Sequence, residues 1–154
     1  MPIETFHETE KDRKVEKQIA RVFSEVWGLE FFKLPQNHTL DVTFHRKGNR
    51  EPLIWGECRN RNHAFGQYPD VWCSLRKVQF ADWLRTQNHQ TRFLVRWKCG
   101  THAWINLMCP DEYVVAGRNE ENMRNEEDVE PLAVFKIERF EVIKDAGKES
   151  TEGS

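Results

Sequence analysis

The sequence lacks any apolar run near the roughly 20 residues that span a bilayer. Its first ten residues are acidic and lack the apolar stretch of a signal peptide. Both absences lead to the expectation of a cytoplasmic protein with no membrane contact. Cysteine is scarce: the four residues Cys58, Cys73, Cys99 and Cys109 include no CxxC pair and match no secreted disulfide framework. Two readings of them stay open. They are reduced, buried thiols acting as small hydrophobes, or Cys99 and His102 form a zinc site with Cys58 and His63, although structural zinc sites usually keep tighter paired spacings. No internal repeat is visible. Hydrophobic residues make up only 38%, but six tryptophans and ten phenylalanines enlarge the core that so few can build, because each aromatic buries a large area. The length of 154 residues suits one domain, expected over residues 1–144, followed by a small polar tail at 145–154 expected to be disordered.

The net charge of −2 is unevenly spread. Residues 41–98 hold 11 Lys/Arg against 5 Asp/Glu, whereas the rest holds 12 against 20. A basic middle on an acidic frame suits a localised polyanion site. Chance clustering on a solvated face is the plainer alternative.

Residues 7–27 have the pattern of an amphipathic helix, with Val15, Ile19, Val22, Phe23 and Val26 on one stripe. Thr5 and Glu8 form a candidate capping box, and Gly28 a stop. Three strands are expected next, over 29–34, 40–46 and 52–59, the last two joined by a turn at Lys47-Gly48-Asn49-Arg50. A polar loop covers 60–69, and Pro69-Asp70 is taken as part of it. Ser74 is a candidate N-cap for a helix over 75–86. Strands are expected at 92–98 and 102–108 around Cys99-Gly100-Thr101, and β-like sequence returns at 132–143. Residues 118–130 form an acidic surface stretch. This order predicts an α/β (α+β) fold, a mixed central sheet flanked by helices.

The hairpin carries the chemistry. If pairing is centred on Asn49, facing residues have numbers that sum to 98, so Asp41 faces Glu57, with Cβ atoms about 4.5–5.5 Å apart. Arg59 lies on the same face by the period of two. A register shifted by one residue would send Glu57 to the other side. Two carboxylates so close repel unless a cation lies between them. Mg²⁺ or Mn²⁺ suits oxygen donors and keeps places for water and substrate. A charge cluster neutralised by Arg59 alone is the structural alternative.

Asp41, in Leu40-Asp41-Val42-Thr43-Phe44, and Glu57, in Ile54-Trp55-Gly56-Glu57-Cys58-Arg59, together with the element order over residues 7–108, resemble the PD-(D/E)XK nuclease superfamily, the restriction-endonuclease-like fold. The resemblance implies that Asp41 and Glu57 bind the metal. Leu40 stands where the family name has proline, and Arg59 where it has lysine. Arginine stays protonated and cannot act as a base, although it can hold water or phosphate. The family's lysine can migrate to a neighbouring element, which makes Lys77 the candidate. The expected catalytic set is therefore Asp41, Glu57, Arg59 and Lys77. Arg61, Arg76 and His63 are candidates for nucleic-acid contact. His63 is alternatively a passive loop residue, Lys77 a surface lysine, and Glu16 an additional acid or a solvent-facing one. Trp55, Trp72, Trp83, Trp97 and Trp104 are either core or base-stacking residues, Trp72 being the hardest to bury.

Three functions follow from this reading. The first is a metal-dependent nuclease that hydrolyses DNA phosphodiester bonds with a metal-activated water. The second is an inactive nucleic-acid-binding module of the same fold. The third is an interaction protein that recruits a partner through its acidic segment at residues 119–130. The reading admits a homodimer.

Overall fold

The computed structural model describes residues 10–117 and 129–143. The candidate capping box, residues 118–128 of the acidic stretch read over 118–130, and the tail at 145–154 lie outside them, while 129–130 begin a strand.

Helix α1 (Glu10–Trp27) buries Ile19, Ala20, Phe23 and Ser24. This is the stripe expected from the 3.6-residue period, displaced by one residue so that Val22 and Val26 lie at its margin. Gly28 ends the helix at φ +69°, a conformation that costs glycine little. Strand β1 (Glu30–Lys33), β2 (Val42–His45) and β3 (Ile54–Asn60) form an antiparallel meander. Gly48 supplies a positive φ in the turn between β2 and β3. The observed pairs are Val42 with Gly56, Thr43 with Trp55 and Phe44 with Ile54, so the register sum is the expected 98.

One strand lies where only loop was expected. Strand β4 (Asp70–Ser74) precedes helix α2 (Leu75–Thr86) and pairs with β8 (Val129–Lys136), which also pairs with β7 (Glu112–Gly117). Val71 and Cys73 are buried, whereas Trp72 is exposed. Strand β7 falls in residues 109–117, for which no element was anticipated. Ser74 caps α2, its hydroxyl accepting from the Arg76 N–H at 3.3 Å. Strands β5 (Gln90–Arg96) and β6 (His102–Asn106) form the expected hairpin, and a short 3₁₀ turn leads to β9 (Glu141–Val142).

The larger sheet runs β1-β2-β3-β5-β6-β9, and only β3 and β5 are parallel. This is the mixed sheet with helices that the element order predicted. Helix α1 packs on one face through Ile19, Phe23, Val42, Phe44, Ile54, Cys58 and Leu94. Helix α2 and the smaller sheet cover the other face, through Val78, Ala81, Leu84, Phe93, Val95, Ala133 and Phe135. Gly56 sits where a Cβ would approach Val42 Cγ2 to 2.9 Å and Leu94 Cδ1 to 3.0 Å, so side chains of the two flanking strands close over β3 next to Glu57.

Alternation along β3 then places its polar residues. Cys58 packs in the α1 layer. Glu57 pairs with Phe93 and Arg59 with Val95, both core residues of the α2 layer, so Glu57 and Arg59 point towards α2.

Candidate active site

A cavity of about 1070 Å³ opens where α1, the segment before β2, the end of β3, strand β4 and the start of α2 meet. Asp41, Arg59, Arg61, Arg76 and Lys77 all line it.

Glu57 is fully buried and does not itself line this cavity, whereas its partners Lys77 and Arg59 do. Lys77 Nζ, from the first turn of α2, donates to Glu57 Oε1 and to the Thr39 carbonyl, both at 2.9 Å. Arg59 approaches Glu57 Oε2 at 3.2 Å. That contact is an ion pair without hydrogen-bond alignment, and it leaves Oε2 with no hydrogen-bond partner. Burial pushes the Glu57 carboxyl up to about 7, and the nearby Asp41 charge adds to the rise. Arg59 and Lys77 pull it down without cancelling these effects. Glu57 in turn holds the Arg59 guanidinium charged, its basicity raised above the ordinary arginine value.

Asp41 departs from the expected geometry. The β2–β3 ladder stops at Val42. Beyond it, the Asp41 N–H donates to the Gly56 carbonyl at 3.0 Å, and the Cys58 N–H donates to Asp41 Oδ2 at 2.8 Å. The Asp41 side chain thus takes the place of a main-chain acceptor, so Asp41 is held across the strand end and does not face Glu57 as a ladder pair. A polar side chain can compete for a backbone donor in this way where a ladder ends.

The other sequence-derived residues divide. Arg61 lines the cavity and donates from Nη2 to the Trp72 carbonyl at 3.0 Å. Arg76 is exposed in the first turn of α2 and lines it too. His63 is not brought to the cavity. Its ring meets Tyr68 edge-on, with centroids 4.6 Å apart, and its carbonyl accepts from the Lys98 N–H. Of the tryptophans, Trp97 is core, but Trp83 and Trp72 are exposed. Sequence reasoning overlooked Lys33, which pairs with Glu16 at 2.8 Å. Glu16 is itself largely covered and lines the cavity, so it is not a solvent-facing acid. A lysine flanked by Phe32 and Leu34 in a strand is the only signal that could have drawn attention to Lys33.

Among the described residues, no group of three or more His, Cys, Asp or Glu could hold a metal ion, so none joins Cys58, His63, Cys99 and His102. A site built on two carboxylates is different in kind. Glu57 Oε2 lacks a hydrogen bond and Asp41 commits Oδ2 to the Cys58 N–H. Both groups supply hard oxygen donors, the class that Mg²⁺ accepts from one or two carboxylates while keeping water on its other positions. The residues present fit such an ion.

Comparison with known families finds that the one described as "Phage putative PDDEXK endonuclease" matches residues 4–143. The chain belongs to this family. Its PDDEXK character agrees with the resemblance carried by Asp41 and Glu57. Among solved structures, the chain is similar to the Holliday junction resolvase Hjc of Archaeoglobus fulgidus, at 10% identity and a TM-score of 0.43, over 77% of this chain and 83% of that one. So distant a likeness says nothing about the residues of this site. No curated protein matches the chain. Among the described residues of this PDDEXK family member, no helix is long and apolar enough to cross a membrane.

The raised Glu57 carboxyl has a consequence for stability. Its folded-state value, about 7, lies above the ordinary 4.5, so the fold prefers the protonated acid. That contribution is fully present below pH 4.5 and is lost as pH rises through 7. In chelator, wild-type stability is expected to fall between pH 4.5 and pH 8 by on the order of 3 kcal/mol more than that of Glu57→Gln. Urea titrations of both proteins at several pH values check this, and parallel pH profiles would contradict it.

Proposed function

We propose that this chain is a metal-dependent deoxyribonuclease that cuts phosphodiester bonds with an activated water. The reading rests on one arrangement: Lys77 and Arg59 converge on buried Glu57 at 2.9 and 3.2 Å and, with Asp41, line a cavity of about 1070 Å³. Asp41 and Glu57 would hold a divalent cation. Such an ion, when bound, lowers the pKa of water and neutralises charge on a phosphoryl group.

The protein's own groups do the remaining work. Lys77 holds Glu57 by one carboxylate oxygen and is itself fixed by the Thr39 carbonyl, so its ammonium is aimed before substrate arrives. Prepositioned charge of this kind stabilises a developing phosphorane-like anion without reorganisation. Arg59 stays charged and orients phosphate or water, without accepting a proton. Arg61 and Arg76 extend the cationic lining along the cavity, where backbone phosphates need charge more than exact geometry.

The test is cleavage of plasmid and single-stranded DNA by the purified chain in Mg²⁺ or Mn²⁺, with chelator as control. Metal-dependent cleavage is expected. A second reading, DNA binding without cutting, is favoured by Arg59 standing in the motif position of lysine. It gives salt-sensitive binding and no cleavage with either ion.

A further inference from the structure

Trp72 occupies a place in the cavity that the catalytic reading leaves unused. Strand β4 turns Val71 and Cys73 into the core and leaves Trp72 outward, 40% exposed, beside the cationic residues. Burying a tryptophan is among the larger apolar gains available to a fold, and here part of it is forgone. Meanwhile both polar ends of the residue are tied down. The indole N–H donates to Asp70 Oδ1 at 3.0 Å, and the main-chain carbonyl accepts from Arg61 at 3.0 Å. The exposed ring is therefore held in one orientation and loses little freedom on binding. Its strand continues through Ser74, the cap of α2, into Arg76 and Lys77. Trp72, Arg76 and Lys77 therefore line the same cavity from one continuous stretch of chain.

We propose that Trp72 is a stacking platform for an unpaired base in the cavity that holds the scissile phosphate, and that the substrate is DNA with single-stranded character at the cut site. The proposal deepens the nuclease reading and rests on it for the word scissile. In an uninterrupted duplex each base face is covered by its neighbours, so the indole finds no partner there. In a single strand, a base can lie on Trp72 while Arg61 and Arg76 hold the flanking phosphates. Aromatic stacking of this kind tolerates sequence, because every base has a π face.

The test is fluorescence anisotropy of a labelled single-stranded oligonucleotide, and of the same sequence as a duplex, with the full chain in chelator. Four proteins are compared: wild type, Trp72→Ala, Trp72→Leu and Trp72→Phe. Leucine keeps apolar bulk on the strand surface without a π face, and it controls for folding if alanine destabilises β4. Single-strand affinity is expected to fall roughly 5- to 150-fold in Trp72→Leu and Trp72→Ala. It should change little in Trp72→Phe, and duplex affinity should change little in any variant. Equal single-strand affinity in wild type and Trp72→Leu overturns the proposal, as does an equal loss for duplex and single strand. A parallel cleavage assay separates the two readings. Failure of metal-dependent cleavage with the selective affinity loss intact removes the nuclease and keeps the stacking site. Cleavage of single strands that is indifferent to Trp72→Leu does the reverse.

Discussion

Asp41→Ala and Glu57→Ala are each expected to lower metal-dependent cleavage by at least about 10²–10³-fold, the scale on which loss of one charge-stabilising group is felt in an active site. The same variants should bind DNA in chelator at least as well as wild type. Each removes a negative charge beside a cavity whose lining includes the cations Arg59, Arg61, Arg76 and Lys77. Cleavage assays paired with anisotropy titrations measure both quantities. The pairing matters because the two carboxylates are also structural. Asp41 holds the Cys58 N–H, and Glu57 anchors Lys77 and Arg59. A collapsed site would lose binding together with cleavage, whereas a missing metal ligand loses cleavage alone. Cleavage that survives both substitutions would sink the assignment of Asp41 and Glu57.

Lys77→Ala is expected to cost about 10²-fold or more in cleavage, within the range set by positioned acid–base and electrostatic groups. Lys77→Arg should restore little of it. The ammonium fits between Glu57 Oε1 and the Thr39 carbonyl, 2.9 Å from each, and a planar guanidinium does not reproduce a compact point charge. A second signature follows from the sign of the Glu57 shift. Lys77 lowers the Glu57 carboxyl against the effect of burial. Without it the carboxyl rises further, so residual activity in Lys77→Ala should move to higher pH, because the metal-binding form is the ionised one. Rate profiles between pH 6 and pH 9 show this directly. An unchanged profile with full activity would leave Lys77 a structural partner of Glu57 with no part in catalysis.

These expectations rest on features of unequal legibility in the sequence. The hairpin was readable because its information is local. Gly48 and Asn49 mark the turn, Val42, Phe44 and Ile54 mark the core-facing positions, and a period of two admits few registers. Even so, Asp41 sits just past the last ladder pair, where a carboxylate can replace a carbonyl as acceptor, and no residue pattern announces that exchange. Strand β4 was missed for a different reason. Its five residues are short and include an exposed tryptophan, and its partner β8 lies some sixty residues further along the chain. Strand β7 likewise makes sense only beside β8. His63 was a candidate because it flanks the exit of the hairpin, yet the loop carries its ring to Tyr68.

The sequence by itself determined α1, the β1–β3 meander, α2 and the β5–β6 hairpin in their order, the β2–β3 register, the cap at Ser74 and the set of charged residues available to a site. Each depends on neighbours a few positions apart, through turn chemistry, alternation and helical period. Only the tertiary structure decided that Glu57 is wholly buried, that Lys77 reaches it from twenty residues away, and that Trp72 faces the cavity from a strand of a second sheet. Those outcomes come from how layers pack. Burial depends on what covers a strand, and the protonation of a carboxylate depends on which charges the packing brings within a few ångströms.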